Sequence, residues 1–148
     1  MSLVFSMGKY EAQIPTDRMY SENHLWVQEA AGGFRVGFTA YSLRLLQDVY
    51  FLDWSVDSNT PVKRKQDIGE IESSKAVSTL YPPADGIIGH FNTALMDDPS
   101  VINTDNYEQG WLYTFETQAR FMTAQEYVDF LGTKWDETQR MIKGQLND

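Results

Sequence analysis

The chain has 148 residues, 42% of them hydrophobic and 14% aromatic, enough for one domain with a true core and too few for two. Its net charge of −9 opposes binding to nucleic acid or to anionic membranes, whose phosphates would be repelled. With no cysteine it has no disulfide, thiolate nucleophile or cysteine metal site, so any dithiol chemistry must come from an attached group.

In chain order, residues 1–19 read as irregular and peripheral. Met1-Ser2-Leu3 reads as an appended leader, with Met7 the natural start, and stands outside the fold reasoning. Met1 to Met7 lacks both a charged leader and a long apolar region, so it is not a signal peptide. No 18-residue apolar run exists to span a membrane. A cytoplasmic location is expected; a mature organellar protein without its leader would read the same. Leu25–Ala30 and Phe34–Phe38, around Gly32-Gly33, predict a hairpin. Thr39 caps a short helix through Leu46, with Leu43 and Leu46 inward.

Val49–Trp54 predicts a nearly continuous apolar strand, and 57–61 a turn. A hairpin over Asp67–Leu80 has its tip at Ser73–Ala76, ahead of the turn signal Pro82-Pro83-Ala84-Asp85-Gly86. A strand follows over Gly86–Phe91, then a long polar loop over Asn92–Gln109 with its turn at Asp97-Asp98-Pro99. Trp111, Tyr113 and Phe115 alternate as a strand. Thr123 and Glu126 form a capping box for a helix with Ala124, Tyr127, Val128 and Leu131 on one face, ended by Gly132. The tail 133–148 predicts a second, weaker helix around Trp135 and Ile142, packed or frayed rather than a docking element. Many short strands with a short internal helix and a C-terminal helix predict a mostly β fold. The domain itself is expected over 20–132.

Lys75 stands in Glu72-Ser73-Ser74-Lys75-Ala76, at the outermost point of the second hairpin. A solvated surface lysine is the ordinary reading of such a residue. A stiff hairpin tip nevertheless holds its side chain out for another protein to reach, as a covalently attached arm requires. Gly69 and Gly86 allow backbone to approach closely on either side.

The order of motifs resembles the glycine cleavage system H protein family of lipoyl carriers. Tyr20-Ser21-Glu22-Asn23-His24-Leu25-Trp26-Val27 resembles the family's opening strand, and Val36-Gly37-Phe38-Thr39-Ala40-Tyr41 its glycine-threonine-x-tyrosine stretch. Ile68 to Ala76 resembles the lipoylation hairpin, and Pro82 to Ile88 the strand that leaves it. Gly110-Trp111-Leu112 and Met122 to Tyr127 resemble the closing strand and helix. The resemblance covers about residues 18 to 132. It implies a barrel-sandwich hybrid and lipoate held in amide linkage to Lys75, on a carrier with no catalysis of its own. It also implies that Glu72, three before the lysine, and Gly86, eleven after it, are read by a lipoate ligase or a lipoyl/octanoyl transferase. The partners so implied are a pyridoxal-phosphate glycine decarboxylase, a folate-dependent aminomethyltransferase and dihydrolipoyl dehydrogenase.

The sequence departs from the family where a loaded arm would fold back into a surface cleft. Leu25 and Thr79 stand where acids are usual, Asn23 is also neutral, and His24 is expected to border that cleft or to be structural. A cleft without carboxylates holds an aminomethyl ammonium less well. The alternatives are a related lipoate-binding protein serving a sulfur-oxidising complex, a lipoyl or octanoyl relay, and an unmodified interaction module. A biotin carrier uses a similar hairpin but flanks its lysine with methionines, where Ser74 and Ala76 stand here. His24 and His90 are the only histidines and are not at ligand spacing, so no metal site is expected.

Overall fold

The computed structural model of the protein describes residues 1–147, with side chains through Glu137. The chain runs β1 (Ser2–Met7), β2 (Tyr10–Pro15), β3 (Met19–Tyr20), β4 (Leu25–Ala30), β5 (Gly33–Phe38) and α1 (Ala40–Leu46). It continues through β6 (Val49–Trp54), β7 (Thr60–Val62), β8 (Gly69–Ser73), β9 (Val77–Leu80) and β10 (Gly86–Phe91). Two short helices, α2 (Ala94–Asp97) and α3 (Val101–Thr104), precede β11 (Tyr113–Glu116) and the long α4 (Ala124–Asn147).

Six strands form one antiparallel sheet in the order β3-β4-β5-β11-β10-β7, and β6-β8-β9 form a second. The two sheets close over a core containing Val36, Leu52, Ile68, Ile71, Ile88 and Phe115. Inward residues alternate along β8, where Gly69, Ile71 and Ser73 are buried between Glu70 and Glu72. The predicted caps form. The Ser42 amide donates to the Thr39 hydroxyl, while Thr123 and Glu126 satisfy each other's amides at 2.9 and 3.2 Å.

Three expectations are corrected. Residues 1–19 are not irregular: β1 and β2 pair over their whole length, from Ser2 opposite Pro15 to Met7 opposite Tyr10. Ser2 and Leu3 therefore belong to the fold. Gly8, at φ 66°, makes the turn in a conformation that glycine adopts without strain. The hairpin is held because Phe5, Met7, Ala12 and Ile14 bury one face in a second core with Tyr41, Ala124, Tyr127 and Leu131. Phe5, Met7 and Ile14 each contribute roughly 1.5–3 kcal/mol when fully buried.

Gly132 does not end a helix, because α4 continues through it with no left-handed cap there. Tyr127, Leu131 and Trp135 extend one stripe across Gly132, and Trp135 meets Tyr41 edge-on. The side chain of Ile142 lies outside the described residues. The segment 92–109 is not a plain polar loop, since α2 and α3 anchor Leu95 and Ile102 in the main core. The strand expected over Val49–Trp54 forms as β6, and a bulge between Val49 and Phe51 leaves Tyr50 and Phe51 both outside.

Candidate functional site

The hairpin of β8 and β9 turns through Ser74 and Lys75. No residue of that turn has a positive φ. Ser73 supplies the closure: its hydroxyl accepts from the amides of Lys75 and Ala76, both at 3.3 Å, while its own amide donates to the Ala76 carbonyl at 2.9 Å. Ser73 is buried although polar, and these bonds account for it. The turn is also tied to the chain entering β6, since the Ser74 amide donates to the Asp48 carbonyl at 2.9 Å. Lys75 projects from this frame. It is exposed, and no described hydrogen bond or ion pair engages its ammonium group.

Glu72 lies on the outer face of β8, directly between Phe51 of β6 and Val77 of β9. Two residues further from the turn, Glu70 stands between Asp53 and Thr79. Thr79 borders a groove of about 250 Å³ whose walls include Leu25, Phe38, Leu46, Ile71 and Tyr81. Leu25 and Thr79, far apart in sequence, thus meet at one site. Leu25 is 4% exposed and forms part of the groove's buried wall. Asn23 holds one rim by donating to the carbonyls of Tyr81 and Pro82. No carboxylate lines the groove, whose surface suits an apolar chain better than an ammonium group. Thr79 is four residues from Lys75, about 13 Å along a strand at roughly 3.3 Å per residue.

His24 is not on this groove. Its backbone takes φ 68°, and its ring lies on Tyr41, Tyr127 and Phe130, with Nδ1 3.0 Å from the Tyr127 hydroxyl. That hydroxyl also meets Thr39 Oγ1 at 2.9 Å. Burial, aided by the Lys134 charge, holds the His24 pKa down at about 4, so the ring is neutral at pH 7. Gly86 lies in the other sheet, opposite Val62, and a Cβ there would overlap the Glu116 carbonyl oxygen and the Phe115 ring.

The bonds between Asp48 and Ser74 and the outward turn of Tyr50 and Phe51 were not foreseen from sequence. The Ser73-Ser74 pair was the available signal, because serine hydroxyls commonly bond backbone within turns.

Residues 18–134 match the family model for the glycine cleavage H-protein. The chain belongs to that family. It is 37% identical over 128 residues to the glycine cleavage system H protein of Corynebacterium aurimucosum, covering 82% of this chain and 98% of that one. The H protein of Anaeromyxobacter sp. (strain K) is 38% identical over 104 residues, covering 70% and 80%. The crystal structure of a glycine cleavage system H protein from Mycobacterium marinum matches with a TM-score of 0.70 and 38% identity, over 80% of this chain and 99% of that one. The fold is accordingly the barrel-sandwich hybrid of H proteins. Like its family, this H protein is a non-catalytic lipoyl carrier that shuttles an aminomethyl group among the P, T and L proteins of the glycine cleavage system. The hairpin β1–β2 lies outside the matched residues. No described helix is long and apolar enough to cross a membrane.

Proposed function

We propose that Lys75 is the lipoyl-bearing lysine of this H protein, that Glu72 is read by the enzyme that modifies it, and that the loaded arm folds back toward Leu25 and Thr79. The observation that carries this reading is the exposed Lys75 in a turn clamped by Ser73, Ser74 and Asp48. A fixed turn presents the amine at low entropic cost to the partner. Attachment forms an amide bond from Lys75 Nζ to the carbonyl carbon of an activated lipoyl group. The bond from that carbon to an adenylate or a carrier thiol breaks, and Nζ gives its proton to a base of the modifying enzyme. Once attached, the group supplies the dithiol that holds the cargo.

Within this reading the modifying enzyme is a lipoate ligase or a lipoyl/octanoyl transferase. A pyridoxal-phosphate decarboxylase loads the arm, a folate-dependent aminomethyltransferase unloads it, and a flavin dihydrolipoyl dehydrogenase reoxidises it, all in the cytoplasm. Leu45, Leu46 and Tyr81 give the folded arm an accessible apolar wall backed by the buried Leu25, and Asn23 keeps the rim in place. Gly86 permits close packing under Glu116.

Intact-mass analysis and peptide mapping of protein from lipoate-fed cells test the proposal. One lipoyl amide at Lys75 is expected, and none in Lys75→Arg, because a guanidinium stays charged and does not attack. Modification at Lys63 or Lys65 instead would refute the assignment.

A further inference from the structure

The bulge in β6 sits beside the lysine turn, opposite Ser73 and Glu72. In a regular strand consecutive side chains point to opposite faces, so one of Tyr50 and Phe51 would be buried. Here the bulge turns both outward, leaving Tyr50 61% and Phe51 42% exposed. Val77, two residues beyond Lys75, is 60% exposed. Strands lie about 4.8 Å apart, so Phe51 and Val77 flank Glu72 across roughly 10 Å of one row. The next row on the same face is acidic, with Asp53 and Glu70 beside Thr79. The sheet thus offers an apolar edge at the lysine turn, with Glu72 set inside it and further carboxylates behind.

Large apolar side chains concentrated in an exposed patch mark a surface that another molecule covers. This patch is also rigid. The Val49 amide donates to Asn103 at 2.8 Å, Asn103 donates to the Gln47 carbonyl at 2.7 Å, and the Ser74 amide is tied to Asp48.

We propose that Tyr50, Phe51 and Val77, with Glu72 at their centre, form the docking collar for the enzyme that acylates Lys75, which presents an apolar recess rimmed by lysine or arginine. The proposal rests on the assignment of Lys75 above and identifies the surface that delivers it. The amide bond forms at Nζ, one side chain from the turn, so the acylating centre must close over the adjacent rows. An enzyme working on the far end of a long arm need not. The acidic rows select a basic partner and favour rapid, salt-sensitive encounter.

The test uses unlipoylated full-length protein with a bacterial lipoate–protein ligase, lipoate and ATP, following modification by mass spectrometry. Binding is measured separately between the ligase and the Lys75→Arg protein. Phe51→Ser combined with Val77→Ser is expected to raise KM and Kd about tenfold while kcat changes less than twofold. Tyr50→Ser alone should raise KM about threefold, and added salt should raise it for the unaltered protein. Val4→Ser, which removes a comparably exposed apolar side chain from β1, should leave KM unchanged. Thermal melts establish that each variant is folded.

Normal modification of Lys75 with an unchanged KM in the double variant would overturn the collar while leaving the lysine assignment intact. A like rise in Val4→Ser would overturn it as well. So would a loss confined to decarboxylase-dependent loading of the lipoylated double variant, which would assign the face to a later enzyme. Failure of the unaltered protein to be modified at Lys75 would remove the lysine assignment and the collar together.

Discussion

Asp48 and Ser74 are hydrogen-bonded in both directions: the Ser74 amide donates to the Asp48 carbonyl at 2.9 Å, and the Asp48 amide donates to the Ser74 hydroxyl at 3.2 Å. The hairpin tip is therefore fastened to the chain leaving α1, and Lys75 is an exposed side chain on a hydrogen-bonded support. The strength of that support can be measured one serine at a time.

Ser73→Ala should destabilise the protein by about 1–2 kcal/mol, because two amides lose an acceptor beside a buried position. Ser74→Ala should cost less than about 1 kcal/mol, since its partner amide is exposed to water. Urea denaturation gives both values. Hydrogen exchange should be faster at Lys75 and Ala76 in the first variant. Equal costs would show that the Ser73 hydroxyl does not close the turn.

Stability should fall with pH through His24. Its folded pKa is lowered to about 4, against 6.5 for the ordinary group. Between those values the unfolded chain binds more protons, so folding stability is full above about pH 6.5 and declines until about pH 4. Melting temperatures from pH 7 to pH 4 should trace this decline. His24→Asn should be less stable at pH 7, having lost the Tyr127 and Tyr41 contacts, yet show a flatter profile. An unchanged slope would show that His24 does not carry the decline; Asp17, whose pKa is lowered chiefly by its hydrogen bond with Arg18, loses its contribution only below about pH 4, outside this window.

Gly86→Ala should destabilise by about 1–3 kcal/mol, because the added methyl overlaps the Glu116 carbonyl and the Phe115 ring. Lipoylation of the folded fraction should be nearly unchanged. Normal stability with slow lipoylation would instead make Gly86 a contact of the modifying enzyme.

Aminomethylated protein should release its cargo readily, for want of carboxylates in the groove. Thr79→Asp adds one at an exposed rim position and should slow release about threefold, through a charge-assisted hydrogen bond weakened by solvent. Leu25→Glu should cost roughly 3–5 kcal/mol of stability, because it places an unpaired carboxyl group at a buried core position. Release is timed after loading with glycine and glycine decarboxylase. Long retention by the unaltered protein would show that groups other than carboxylates hold the amine.

Local chemistry was legible in the chain because neighbours in sequence satisfy one another. Thr123 with Glu126 and Thr39 before α1 are each closed by bonds within a few residues. The alternation of Phe5 and Met7 with Ala12 and Ile14 around Gly8 is also present in the sequence, but short strands are marginal alone. What stabilises β1 and β2 is the face of α4 and α1, distant in the chain.

From sequence alone came one domain with no cysteine chemistry, a hairpin with Lys75 at its tip, and the order of motifs that resembles H proteins. These depend on composition and short-range pattern, which the chain carries explicitly. Tertiary structure alone decided that Leu25 meets Thr79 while His24 faces away, that Asp48 fastens the turn, and that Tyr50 and Phe51 both reach solvent. Those outcomes depend on strand register, a one-residue bulge and the packing of two sheets. A shift of one residue reverses which face a side chain occupies, so only long-range pairing settles them.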